Sequence, residues 1–312
     1  MAADWKRIFE NLFIKKSGDH AVVGGATGTG KTQVLYHIVG GITEKHPNES
    51  IVWFDIGKSG EALRLADFKP ITFFVPFGNE LEIEYKSKKL EEKYSTRVEI
   101  DHYQDGNYMD LIYRFKKDRI NIIEIKPYIR DPGEYAKRVS QLFKTLINMA
   151  LDHQLKHIVP MAFFVDEMHW VAPGQGHALN EEHNEAGRWM QYNIDTLRSM
   201  KVRIVGATQN WTKIRRGVRQ AFGWIFIKRG LAFNKYDEWR LTKYNGTWER
   251  LLPKQTIMAL PLRNYSDILH FPFYGDGEDI GELYYIRNPV GLDTSPCLDM
   301  HPETSAEPTF QD

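Results

Sequence analysis

Short, mostly apolar runs alternate with longer stretches in which apolar residues recur every three or four positions. Ala21–Val23, Ile51–Ile56, Ile71–Val75, Asn121–Ile125, Met161–Val165, Val202–Ala207 and Trp224–Ile227 are strand-length runs with almost no polar interruption. Such runs predict strands covered on both faces. Between them the spacing predicts helices from Thr32 to about Gly40, over a short stretch before Ile71, from Glu134 to His157 and near Glu181–Met200. The clearest stripe is Val139, Leu142, Phe143, Leu146, Ile147, Ala150 and Leu151. Strands alternating with helices imply right-handed crossovers, and so an α/β fold with a mostly parallel sheet and helices on both faces.

The remaining segments lie around that core. Residues 1–19 carry Trp5, Ile8, Phe9, Leu12 and Phe13 at helical spacing, which predicts an amphipathic extension packed on the core or on a neighbouring subunit. The core then runs over 20–287, with an insertion at about 78–119, where Leu81-Glu-Ile-Glu-Tyr and Arg97-Val-Glu-Ile alternate as half-buried edge strands do. Thr256–Ala259 and Glu282–Ile286 are expected to extend the sheet with antiparallel strands at its edge, and 288–312, polar and with four prolines, reads as a flexible tail. No internal repeat is present.

Composition narrows the partners. With 41 Lys plus Arg against 41 Asp plus Glu, a polyanion must be met by a local patch, because the overall field does not attract it. The densest patch is Lys213, Arg215, Arg216 and Arg219, beside Trp211 as a stacking face; it suits nucleic-acid phosphates or a subunit boundary. Cys297 is the only cysteine, which leaves no intrachain disulfide and no cysteine metal site. No apolar run approaches the roughly 18 residues of a membrane span, and the first residues lack an apolar signal core, so a cytoplasmic protein without direct membrane insertion is expected.

Three stretches carry chemistry. Gly25, Gly30, Lys31 and Thr32 fit G-x-x-x-x-G-K-[ST], with a strand before and a helix after. In such a loop Gly25, Ala26, Thr27, Gly28, Thr29 and Gly30 offer backbone N–H groups to ATP phosphates, Lys31 reaches the β and γ phosphates, and the Thr32 hydroxyl ligates Mg²⁺. Met161–Val165 delivers Asp166 and Glu167 to the carboxyl edge of the sheet; Asp166 would share the metal with Thr32, and Glu167 would deprotonate or orient a water. Val202–Ala207 ends near Gln209, a neutral amide suited to sensing a γ phosphate. For the acids and the amide the plain alternative is a strand that merely ends in polar residues. Among the histidines, His169 could tune Glu167 or simply pack; His153 and His157 read as surface residues, and His177 and His183 as an exposed loop pair.

These motifs, in this order, resemble the HerA and FtsK superfamily of DNA-pumping ATPases over roughly 20–230: Gly25-Ala-Thr-Gly-Thr-Gly-Lys-Thr, Val165-Asp-Glu-Met-His, and Ala207-Thr-Gln-Asn followed by Ile214-Arg-Arg-Gly-Val-Arg and a strand ending in Arg229. The resemblance implies a RecA-like P-loop core, a hexameric homo-oligomeric ring, and an arginine lent by one subunit to the next. Arg198 best matches that arginine, with Arg188 and Arg229 as alternatives. It further implies ATP hydrolysis with Mg²⁺ coupled to movement of double-stranded DNA, most narrowly viral genome packaging, in the host cytoplasm or virion, with a capsid, portal or membrane-anchored partner. A Zot-like secretion or conjugation-type ATPase is the nearest alternative. A non-motor P-loop switch or kinase is the alternative of a different class, although a kinase has no use for Glu167 as a water activator.

Overall fold

The computed structural model of the protein describes residues 9–14, 19–55, 60–125, 128, 130–233, 240–252, 254–260, 265–274 and 279–287. Twelve strands are β1 (Ala21–Gly24), β2 (Ser50–Asp55), β3 (Ile71–Pro76), β4 (Asn79–Tyr85), β5 (Val98–Tyr103), β6 (Ile120–Glu124), β7 (Met161–Val165), β8 (Val202–Thr208), β9 (Trp224–Ile227), β10 (Gln255–Leu260), β11 (Tyr265–His270) and β12 (Gly281–Arg287). Ten form one sheet in the order β11-β10-β9-β1-β8-β7-β2-β6-β3-β5. From β9 to β5 every neighbouring pair is parallel, while β10 and β11 continue the other edge antiparallel. This is the α/β architecture that the sequence predicts, a mostly parallel sheet with helices on both faces and an antiparallel extension at the edge.

Two expectations change in detail. The strand at 282–286 does not extend the main sheet; β12 pairs antiparallel with β4 in a separate two-stranded sheet. Within the 78–119 segment only β4 shows the alternating burial, whereas β5 joins the main sheet beside β3 as its outer strand. Along β5, Glu99 meets Lys116 at 3.6 Å and Arg119 at 3.4 Å, and Asp101 binds Arg114. The expected tail at 288–312, Cys297 within it, and Trp5 and Ile8 lie outside the described residues.

Helices α1 (Lys31–Lys45), α2 (Lys88–Tyr94), α3 (Tyr108–Tyr113), α4 (Pro132–Leu151), α5 (Glu181–Ser199) and α6 (Arg216–Ala221) follow from local chemistry. α4 opens with Asp131, whose carboxylate accepts from the N–H groups of Gly133 and Glu134, and with Pro132 at its first position. It stops at Leu151, short of the expected His157, because His153 takes a left-handed φ of 57° and the Gln154 N–H turns back to the Met149 carbonyl. In α5, capped by Asn180, Ala186, Met190, Ile194 and Leu197 are buried in one stripe. α4 and α5 cover one face of the sheet, and α1 with the turn Glu61–Asp67 covers the other.

Phe9 and Phe13, from the amino-terminal extension, pack edge-on against Phe226 and Trp224 of β9 and Phe271, at ring separations of 5.3–6.1 Å. These residues belong to the chain's own core, beneath α1. At the amino edge of the sheet the wholly buried Arg203 forms a fork with Glu49, with both contacts at 2.7 Å, which ties β8 to the residue before β2.

His20, directly before β1, is also buried. Its Nδ1 accepts from the Ile204 N–H at 2.9 Å and its Nε2 donates to the Ile194 carbonyl at 2.7 Å, so the neutral ring is a full member of the core. Burial, chiefly, draws its pKa down to about 4. The unfolded chain therefore binds the extra proton between its ordinary value of 6.5 and about 4, and stability falls as the pH drops through that window. Urea unfolding is expected to show a loss of about 3 kcal/mol across this range from this group, absent in His20→Gln; equal pH slopes in the two proteins would count against the assignment.

Candidate nucleotide-binding site

β1 ends in the loop and α1 begins directly after it. Gly25 is required by space: a Cβ there would lie 2.5 Å from the Lys228 Cβ and 2.8 Å from the Thr29 hydroxyl. Gly28 and Gly30 are required by conformation, with φ of 74° and 84°. The loop is stitched on both sides, since the Gly25 N–H donates to the Thr208 carbonyl at the tip of β8 and the Ala26 N–H to the Arg229 carbonyl beyond β9. Inside it, the Thr29 hydroxyl and the Lys31 ammonium both donate to the Ala26 carbonyl, at 2.7 and 3.1 Å. No side chain at Gly30 caps α1, so the first turn presents its N–H groups and positive end toward the loop.

β7 delivers Asp166 and Glu167, buried at 2% and 5% exposure, two strands away from β1. The strand between them is β8, and Gln209 at its tip joins the two sides. The Gln209 amide nitrogen donates to Glu167 Oε1 at 2.8 Å, and the Thr27 hydroxyl donates to Gln209 Oε1 at 2.8 Å. Only this orientation of the amide avoids placing its oxygen against the carboxylate. His169 Nδ1 lies 3.4 Å from Glu167 Oε2, on the far side of the same carboxylate. Thr27, Gln209 and Glu167 are thus joined in one hydrogen-bonded chain, while the Lys31 ammonium is held within the loop by the Ala26 carbonyl.

Glu61 is a neighbour that the sequence reading missed. The Thr32 hydroxyl donates to Glu61 Oε2 at 3.3 Å. Glu61 opens the turn Glu61–Asp67, and its only sequence signal is Gly60 before it. Burial first, and then the charges of Glu61 and Asp166, hold the Tyr36 hydroxyl well above its ordinary pKa. Thr32 and Asp166 supply hard oxygen donors of the kind Mg²⁺ takes. Among the described residues no group of three or more Asp, Glu, His or Cys could hold a metal ion by itself.

The candidate arginines are dispersed. Arg198 is exposed in the last turn of α5, before β8 starts, and therefore at the amino edge, opposite its own phosphate loop. Arg188 is exposed and paired with Glu181 at 3.3 Å. Arg229 lies beside the loop, in a pocket of about 350 Å³ shared with Ala26, Gly28, Lys228, Leu251 and Leu252. The basic cluster is split: Arg215 is anchored to the Pro173 and Asn184 carbonyls and Arg219 is buried, which leaves Lys213 and Arg216 exposed. Trp211 is no stacking face, being 1% exposed and packed edge-on against Phe233. His183 is likewise not exposed; it is buried, and its Nε2 meets the Trp170 carbonyl.

No family model matches the chain, and no curated protein sequence does. Among solved structures, it is similar to the genome packaging NTPase of Sulfolobus turreted icosahedral virus 2 in complex with ATP-gammaS: 12% identity, 82% of this chain, 98% of that one, TM-score 0.46. It is also similar to the DNA-packaging ATPase of Sulfolobus turreted icosahedral virus (14%, 83% and 99%, TM-score 0.47) and to EccC of Thermomonospora curvata (12%, 86% and 40%, TM-score 0.46). Viral packaging ATPases are among the proteins that the motifs resemble. These likenesses concern shape, and no residue role is taken from them.

Lys228, packed behind Gly25, donates to the Gln255 carbonyl at 3.1 Å, and burial draws its pKa down to about 8. It is charged below that pH and loses its proton above it. An NMR titration of ¹³C-labelled lysines in the ligand-free protein should find a midpoint about 8 that disappears in Lys228→Arg; its absence from the wild type would refute this environment.

Proposed function

We propose that the protein is an Mg²⁺-dependent ATPase that moves double-stranded DNA through a homo-oligomeric, hexameric ring, and that its setting is viral genome packaging. The observation that carries hydrolysis is the hydrogen-bonded path from Thr27 through Gln209 to Glu167, which links a phosphate loop to a buried carboxylate. A protein that only holds nucleotide has no need of that link.

Each residue then has a task. The N–H groups of Gly25–Thr32 and the start of α1 bind the triphosphate, with Lys31 on its β and γ groups. Thr32 and Asp166 would hold Mg²⁺, which neutralises phosphate charge when bound. Glu167 takes the proton of the attacking water, and Gln209 reports the γ phosphate to it. Arg198 serves the next subunit's site, a role suited to a residue too far from its own loop. The DNA step rests on the order and detail of the motifs, and the exposed Lys213 and Arg216 are available to a polyanion or a neighbouring subunit. Among the described residues no helix is long and apolar enough to cross a membrane, so a membrane-anchored or capsid partner would supply any attachment.

Glu167→Gln is expected to bind ATP with near-normal affinity and to hydrolyse it at least about 10²-fold more slowly. Unchanged turnover would remove Glu167 as the base. Wild-type turnover should rise with double-stranded DNA in a ring-sized species by mass; a monomer indifferent to DNA would sink the motor reading. Arg198→Ala should cost about 10³-fold in turnover, and mixing it with Lys31→Ala subunits should restore part of it, because an intact site then borrows a neighbour's arginine. Confirmed mixed rings without recovery would shift the role to Arg188 or Arg229.

A further inference from the structure

Glu61 is not explained by the triphosphate cradle, yet it is presented to it by a built arrangement. Its backbone carbonyl accepts from the Tyr36 hydroxyl at 2.7 Å, which fastens it to α1. Gly60, at φ 79°, packs so closely on β12 that a Cβ would lie 2.0 Å from the Gly281 carbonyl oxygen. After it, Ala62, Leu63, Leu65 and Ala66 are buried in the turn. The backbone that carries Glu61 is thus held on both sides.

We propose that Glu61 is a further metal-site residue, a carboxylate that joins Thr32 in serving the Mg²⁺ of a bound nucleotide. This rests on the ATPase reading above. The hydroxyl that Glu61 holds, Thr32 Oγ1, is the one assigned to that ion. The pocket next to it, about 110 Å³ between Thr32, Gln33, Tyr36, Glu61, Arg64 and Asp279, has room for water, through which a carboxylate can serve a cation's outer shell. Charge gives the arrangement its logic. An acid beside a triphosphate repels it unless a cation lies between them, so Glu61 favours the metal complex over the bare nucleotide.

That logic separates metal recognition from a structural role. Binding of a fluorescent ATP analogue is measured in EDTA and across a Mg²⁺ titration, with Mn²⁺ uptake followed by electron paramagnetic resonance. Glu61→Gln should raise the Mg²⁺ concentration for half-maximal effect about tenfold, weaken Mn²⁺ uptake similarly, and leave metal-free binding equal or a few-fold tighter. Glu61→Asp, which keeps the charge one methylene short, should fall between the two and serves if the Gln variant does not fold. An unchanged metal dependence, or equal losses with and without metal, would overturn the proposal while leaving the ATPase reading intact. A wild type that binds no nucleotide under either condition would overturn both.

Discussion

The site depends on one spacing. Because β8 is inserted between β1 and β7, the phosphate loop and the buried acids stand two strand separations apart, about 9.6 Å at the strand level. Side by side, loop and acid would leave little room for a phosphoryl group and a water; three strands apart, no single side chain would bridge them. An amide at the tip of the inserted strand fits the gap, and Gln209 reaches Thr27 on one side and Glu167 on the other. The parallel direction of these strands puts all three tips at the same edge, where α/β sheets bind ligands.

Rigidity around that edge comes from packing as much as from hydrogen bonds. Gly25 sits against Lys228 and Gly206 against Met168, in contacts that no Cβ could occupy without displacement. Phosphate-binding loops act by holding donors in place before the ligand arrives, and a loop hemmed in by β8 and β9 meets that need. The opposite edge is tied more strongly still, by the buried Arg203–Glu49 pair and by His20. Removing one member of such a pair leaves a buried charge, a loss of about 3–5 kcal/mol, so these groups hold the strand bases while the tips carry chemistry.

The parallel core was legible because its strands are buried on both faces and therefore uninterrupted in sequence, with β9 matching its expected bounds. The phosphate loop, Asp166, Glu167 and Gln209 were legible because each sits where such a strand stops. What escaped lacks that signature. β11, with the sequence Tyr-Ser-Asp-Ile-Leu-His, mixes polar and apolar residues as an edge strand, and β12 found its partner in β4, far earlier in the chain. Trp211 and His183 looked like surface groups because polar residues surround them in sequence, although the fold turns both inward. Glu61 was invisible for the same reason, since a lone acid after a glycine says nothing until Tyr36 and Gly281 are seen to hold it.

The charges along β5 have a consequence for assembly. An outer strand with free N–H and C=O groups is a template on which another chain can continue the sheet, and long parallel sheets are especially exposed to that hazard. Here Glu99 and Asp101 stand on the outermost strand, clasped by Arg114, Lys116 and Arg119 from the segments that follow it. Growth by strand addition would have to strip those ion pairs of water and partners. Stacking of copies against this edge, strand to strand, is thereby disfavoured.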